Sequence, residues 1–155
     1  MTDMRLIGDT FPLLVYVAPK RYDAASVQDM AEAFEPYYRR GERYSLLTLQ
    51  LPGSVPPGAV ERKLILEWVN SPYVREHTSR LCVGGASVVD GTLIRGVATA
   101  LLWFWKPPFP FQLVSTPLEG LEVCTQHLIR CGVALPRGAN GLRSEVIQVL
   151  ETLLR

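Results

Sequence analysis

The chain is predicted to be an α/β protein: a single-domain, mostly parallel sheet with an N-terminal hairpin, helices packed on it and an extra C-terminal amphipathic helix. Three observations predict this. Strand-like and helix-like segments alternate along the chain, the pattern that builds a parallel sheet covered by its own crossover helices. Leu81-Cys-Val-Gly-Gly-Ala-Ser-Val-Val89 is a near-continuous run of small and branched apolar residues, as expected of a strand covered on both faces. With 155 residues, 48% of them hydrophobic and 20% charged, the chain is long enough to bury about two-thirds of its unfolded surface and too apolar for intrinsic disorder.

The elements follow in order. Two apolar runs separated by Gly8-Asp9 predict a hairpin entering a strong strand at Leu13 to Ala18, ended by Pro19. From Ala24 to Arg40, Val27, Met30, Ala31, Phe34, Tyr37 and Tyr38 recur at helical steps, with Ser26 as the expected N-cap and Gly41 as the terminating glycine. Tyr44 to Leu51 is strand-like and stops at Pro52-Gly53. A helical pattern then runs from Ala59 to about Arg80, with Ile65, Trp68 and Val69 on its apolar face. Asn70-Ser71-Pro72 should kink or split it, because proline removes a backbone donor and disfavours helical geometry at the preceding residue.

The run from Leu81 to Val89 is expected to be the central strand, its Gly84 and Gly85 allowing close approach of a neighbour. Leu93 to Trp105 reads as a helix and Phe111 to Ser115 as a strand. Thr116-Pro117-Leu118-Glu119 is a strong helix start, with Thr116 at the N-cap and Pro117 at the first helical position. That helix should end near Gly132. After the loop around Pro136 to Gly141, a last helix from Leu142 to Arg155 carries the stripe Leu142, Val146, Val149, Leu150, Leu153 and Leu154.

Composition excludes several function classes. Sixteen basic against fifteen acidic residues provide no general field for nucleic acid or anionic lipid, so no nucleic-acid partner is expected. The N-terminus lacks the charged, apolar and small-residue regions of a signal peptide, and a cytoplasmic location is expected. Three cysteines, Cys82, Cys124 and Cys131, do not suggest a disulfide framework in a chain of this size. The most apolar stretch, Gly91 to Phe111, contains Arg95, Lys106 and prolines, and its uninterrupted part covers about half a bilayer, so no membrane insertion is expected.

Cys124, His127 and Cys131 would share one helical face and superficially resemble a metal site. The short Cys-x₂₋₄-Cys pairs of structural zinc are missing, and buried helix cysteines are the simpler reading. No metal and no cofactor are expected. Neither a dinucleotide fingerprint nor a phosphate loop nor a G-x-S-x-G elbow occurs. Of the serines nearest strand ends, Ser87 is expected to be buried and Ser54 exposed. Trp103, Phe104, Trp105, Phe109 and Phe111 crowd around a proline-rich turn and cannot all enter one core, which marks the turn as a candidate partner surface.

Taken in order, the hairpin, the helix after it, the small-residue strand Cys82 to Val89, Gly91-Thr-Leu-Ile-Arg-Gly-Val97 and Phe111-Gln-Leu-Val-Ser-Thr-Pro-Leu-Glu-Gly-Leu121 resemble a STAS domain, the sulphate-transporter and anti-sigma-factor-antagonist fold. The resemblance covers roughly residues 5 to 132. It implies a STAS-like α/β domain over 1–136, followed by a C-terminal loop and helix over 137–155. It also implies a regulatory protein-binding module rather than an enzyme, docking its partner near the start of the second long helix. Antagonists of this family carry a phosphorylatable serine there in an Asp-Ser-Ser-Gly-like motif. This chain has Leu51-Pro-Gly-Ser-Val-Pro-Pro57, so Ser54 is the match by position.

The expected function is therefore non-catalytic: a regulatory or scaffolding module that binds a protein through Ser54, the aromatic turn with Trp103, Trp105 and Phe109, and the last helix with Leu150 and Leu153. The alternative is an α/β enzyme or small-ligand-binding domain whose site lies at a strand's carboxyl end near Asp90, Thr92 and Arg95. Three roles stay open for the last helix: covering the sheet, pairing with its copy in a homodimer, or docking on the partner.

Overall fold

The computed structural model describes residues 3–155. Strands β1 (Arg5–Ile7) and β2 (Leu13–Val17) form the predicted hairpin, antiparallel with Arg5 opposite Val17 and Ile7 opposite Val15. Its connection is fastened by the Thr10 hydroxyl, which donates to the Leu13 carbonyl at 2.7 Å. The chain continues through α1 (Ala24–Arg40), β3 (Tyr44–Leu49), α2 (Ala59–Val69), α3 (Pro72–Leu81), β4 (Cys82–Val88), α4 (Thr92–Phe104), β5 (Phe111–Val114), α5 (Pro117–Arg130) and α6 (Gly138–Leu153). The five strands lie in sequence order, β1-β2-β3-β4-β5, and every pair after the hairpin is parallel.

Sequential order has a direct consequence. Crossovers between parallel strands share one hand, so a chain that always steps the same way lays its connecting helices on one face. Helices α1 to α4 accordingly cover one side of the sheet. There Met30, Phe34 and Tyr38 of α1 and Val74 of α3 pack with Tyr16 and Ala18, joined by the half-buried Ile65 and Trp68 of α2. The opposite face is closed by α5 and α6. Leu13, Val15, Val17, Leu47, Leu49 and Val88 of the sheet meet Leu121, Cys124 and Leu128 of α5 and Leu142, Val146 and Leu150 of α6. In the middle of the sheet stands β3; the strand expected there, β4, is internal but lies next to the edge strand β5.

Local signals account for the helix ends, with one shift. Asp23 caps α1: its carboxylate accepts from the Ala25 and Ser26 N–H groups at 2.9 and 3.0 Å, and the Ser26 hydroxyl accepts from the Asp23 N–H at 2.8 Å. Ser26 thus closes a capping box from the third helical position instead of being the cap. Gly41 ends α1 in the left-handed region at φ 69°, where a side chain is disfavoured. The split at Asn70-Ser71-Pro72 occurs as expected, Ser71 being extended and Pro72 opening α3. Thr116 caps α5 by accepting from the Glu119 N–H at 3.2 Å, and the Glu119 carboxylate accepts from the Ser115 N–H at 3.2 Å.

Two glycines set the tight helix–sheet distance on the α5 side. A Cβ on Gly84 would lie 2.3 Å from the His127 ring, and one on Gly120 would lie 2.5 Å from Leu47. The last helix covers α5 and completes this core, and Arg143 holds it there by donating to Glu122 at 3.0 and 2.9 Å. Leu150→Ala should therefore destabilise the fold by about 3 kcal/mol in urea unfolding. Leu154→Ala, on the exposed side of the same stripe, should stay within about 0.5 kcal/mol. Equal effects of the two would mean that α6 is not docked as described.

Candidate functional site

The two faces of the sheet are packed differently. No residue of α2 or α4 is buried, although α4 is the most apolar helix of the chain. Beneath these two helices lies a cavity of about 190 Å³. Its floor is the sheet, contributing Tyr16, Leu46, Thr48, Ser87, Phe111 and Leu113. Its roof is Ile65, Leu66 and Val69 of α2 with Ile94, Val97 and Leu101 of α4. Met30 and Phe34 wall one end, Trp105 and Phe109 the other, and Gln50, Pro56 and Pro57 line it on the side of the β3–α2 loop.

Strand register brings the polar floor together. Tyr16 pairs with Thr48, Thr48 with Ser87, and Ser87 with Leu113, so three hydroxyl groups stand in one row across β2, β3 and β4. Because side chains alternate along a strand, all three face α2 and α4. The row lies near the carboxyl ends of the strands, where open α/β sheets bind ligands. Ser87, expected to be buried, is only half-buried because it opens on this cavity.

All lining side chains are uncharged at neutral pH. Burial pushes the Tyr16 phenol well above its ordinary range, reinforced by the adjacent Tyr22, and pushes Tyr22 itself up to about 12. The two phenols lie within reach of each other, Tyr16 and Tyr22 acting on one another as hydrogen-bond partners. Burial likewise raises Tyr38, Tyr44 and the Cys82 thiol. At the far end, the Trp105 indole N–H is buried without an acceptor. Its ring packs against Phe109 and Phe111 with centroids 6.1 and 5.6 Å apart.

The aromatic turn thus divides in two. Trp105, Phe109 and Phe111 turn inward onto the cavity, whereas Trp103 and Phe104 are 71% and 70% exposed. A run of aromatics that passes from a helix into a turn has no single period, so the sequence marked the cluster without sorting it. The floor hydroxyls carried no such signal: Tyr16, Thr48 and Ser87 become neighbours only through strand register.

The other sequence-flagged residues are dispersed. The Ser54 hydroxyl, expected to be exposed, is half-buried and donates to the Leu51 carbonyl at 2.6 Å, which fastens its own loop. Asp90, Thr92 and Arg95 sit together at the β4–α4 junction, all exposed and outside the cavity lining; Arg95 donates to the Ser115 hydroxyl at 3.2 Å. Leu150 is buried in the α5–α6 core and Leu153 packs against it. Cys124 is buried, with burial raising its thiol to about 12. His127 packs over Gly84, with burial and then Arg130 lowering its pKa, and Cys131 is exposed at the end of α5. Among the described residues no helix is long and apolar enough to cross a membrane.

No protein-family model, curated protein or solved structure matches the chain.

The buried phenols and thiols dictate an alkaline limit. Each has a folded pKa above its unfolded value, so the folded state keeps a proton that the unfolded chain releases. Their contribution is complete below about pH 9 for Cys82 and Cys124 and below about pH 10 for Tyr16, Tyr22, Tyr38 and Tyr44. Above those points each group removes about 1.4 kcal/mol per pH unit until its folded pKa is reached. Tyrosinate absorbance from these four residues should appear together with loss of helical circular dichroism as pH rises past 10. A full tyrosinate signal from all six tyrosines at about pH 11.5 with the helical signal intact would contradict this.

Proposed function

We propose that this chain is a non-catalytic regulatory interaction module, resembling a STAS domain, that docks a protein partner through the outer face of α4. The observation that carries the proposal is the exposure of Trp103, Phe104 and Leu93, at 71%, 70% and 70%, on a helix with no buried residue. Leu93 and Phe104 lie about three turns apart along the same side of the helix, and Val60 on α2 adds a further exposed apolar side chain at 67%. Large apolar and aromatic groups clustered on a surface are the composition of interface centres.

The family resemblance is supported by the hairpin that leads into a parallel sheet, by the helix between β2 and β3, and by the Thr116 cap that follows the last strand. Ser54, its hydroxyl spent on Leu51, supports a partner surface less well than α4 does.

Affinity capture from the source organism's lysate, followed by binding measurements with the purified partner, tests the proposal. Trp103→Ala should cost the complex about 2 kcal/mol, as a hot-spot truncation does, and leave unfolding free energy within about 0.5 kcal/mol of the parent. A stoichiometric partner whose affinity ignores Trp103, Phe104 and Leu93 would overturn the α4 surface. Turnover of a small molecule would overturn the non-catalytic reading.

A second reading is favoured by the cavity itself: a small-ligand-binding domain whose site lies between the α2–α4 roof and the sheet. Its position near the strands' carboxyl ends and its apolar lining resemble those of pockets that hold small organic ligands. The two readings are compatible, since α4 supplies both the roof of the cavity and the exposed aromatic face.

A further inference from the structure

We infer that the cavity between the α2–α4 roof and the sheet binds a neutral, largely apolar small molecule that carries a hydrogen-bond acceptor, of the chemical class of an aryl ketone. The inference rests on the ligand-binding reading above and specifies its ligand.

Size and shape come first. Native interiors pack without voids of this kind, and apolar cavities of about 150 Å³ take up a benzene ring. At about 190 Å³ the present cavity has room for a small fused-ring molecule. The space arises because Thr48 and Ser87 are too short to fill the gap between floor and roof. The α2 and α4 residues that roof it are only partly buried.

Charge comes second. Among the described residues, no side chain of Asp, Glu, Lys, Arg or His lines the cavity, so an ionic ligand would lose its hydration without gaining a counter-charge from them. A neutral ligand meets no such penalty.

Polarity comes third. The Trp105 indole nitrogen can only donate, and it is buried with no acceptor. Tyr16, 5% exposed, has a buried hydroxyl whose neighbour is the Tyr22 phenol, so the unpaired donor is Trp105. Both residues line the cavity. A buried donor left unpaired is costly, and an acceptor brought in by a ligand removes that cost after a small side-chain adjustment. Thr48 and Ser87 offer further donors on the floor between them. A hydrocarbon would fill the space but leave the Trp105 N–H unpaired, whereas a ketone oxygen can accept from it.

Titration calorimetry of the purified chain with three molecules of nearly one shape tests the inference: 2-acetylnaphthalene, 2-ethylnaphthalene and 2-naphthoate. The ketone should bind saturably at one site. The ethyl analogue, lacking the acceptor, should bind about fivefold more weakly, the effect of one hydrogen bond, and the carboxylate weakest of the three. Trp105→Phe removes the N–H donor and replaces the indole by a smaller aromatic ring, and it should erase the preference for the ketone while retaining the ethyl analogue; Tyr16→Phe, which keeps its ring and removes a hydroxyl already paired with Tyr22, should leave that preference in place. Ser87→Leu, or Thr48→Leu should the first fail to fold, should abolish binding of both neutral probes while thermal unfolding stays cooperative.

Saturable binding by none of the three would overturn the ligand-binding reading together with the inference. Equal affinity for ketone and ethyl analogue, or preference for the carboxylate, would overturn the ligand class and leave the site. Undiminished ketone binding in a folded Ser87→Leu or Thr48→Leu variant would place the ligand elsewhere and overturn the site.

Discussion

The handedness of parallel crossovers organises this molecule. From β2 to β5 the chain steps to the adjacent strand each time, and a constant hand forces every intervening helix onto the same face. Four helices therefore share one side of the sheet, while the other side stays bare until α5 and α6 fold back over it. Fold, cavity and exposed aromatic face all descend from this asymmetric arrangement.

The two layers meet the sheet on different terms. On the α5–α6 side, side chains such as Leu13, Val15, Leu47, Leu128 and Val146 are fully buried, and Gly84 and Gly120 draw α5 close. On the other side, α1 and α3 anchor firmly through Phe34, Tyr38 and Val74, whereas no residue of α2 or α4 is fully buried. A Cβ on Gly85 would come within 3.3 Å of Phe109 and Phe111, so the aromatic cluster packs where β4 has no side chain. The cavity lies beside that cluster, over the short Thr48 and Ser87 side chains. Helix α4 consequently has two apolar faces and one sheet. Its inner face roofs the cavity, and its outer face presents Trp103 and Phe104 to solvent.

This geometry ties the proposed readings together physically. A helix held by few buried contacts belongs to the less stable part of a fold, where binding and conformational change are usually located. A molecule in the cavity would touch Ile94, Val97 and Leu101 from below, while a partner protein would touch Leu93, Trp103 and Phe104 from above. Both proposed events would thus involve the same helix. The tight α5–α6 core closes the opposite face of the sheet.

What the sequence determined by itself is the part governed by short-range chemistry. The alternation of elements, the Gly41 terminus, the Thr116-Pro117 start and the split at Ser71-Pro72 each depend on a few neighbouring residues, and each is found in the structure. Even here tertiary context intervened. Pro36 lies inside α1 on its exposed side, and the helix runs on past it, held by Phe34 and Tyr38, whereas Pro72 divides its helix where Asn70 and Ser71 already favour a break. Asp23 took the cap from Ser26 because its carboxylate reaches two backbone donors at once. Tertiary structure alone decided which aromatic residues of the Trp103 to Phe111 turn face inward, that Leu150 is core, and that Tyr16, Thr48 and Ser87 form one polar row. These relations depend on strand register and on which face a crossover covers, distances between residues far apart in the chain that no local pattern encodes.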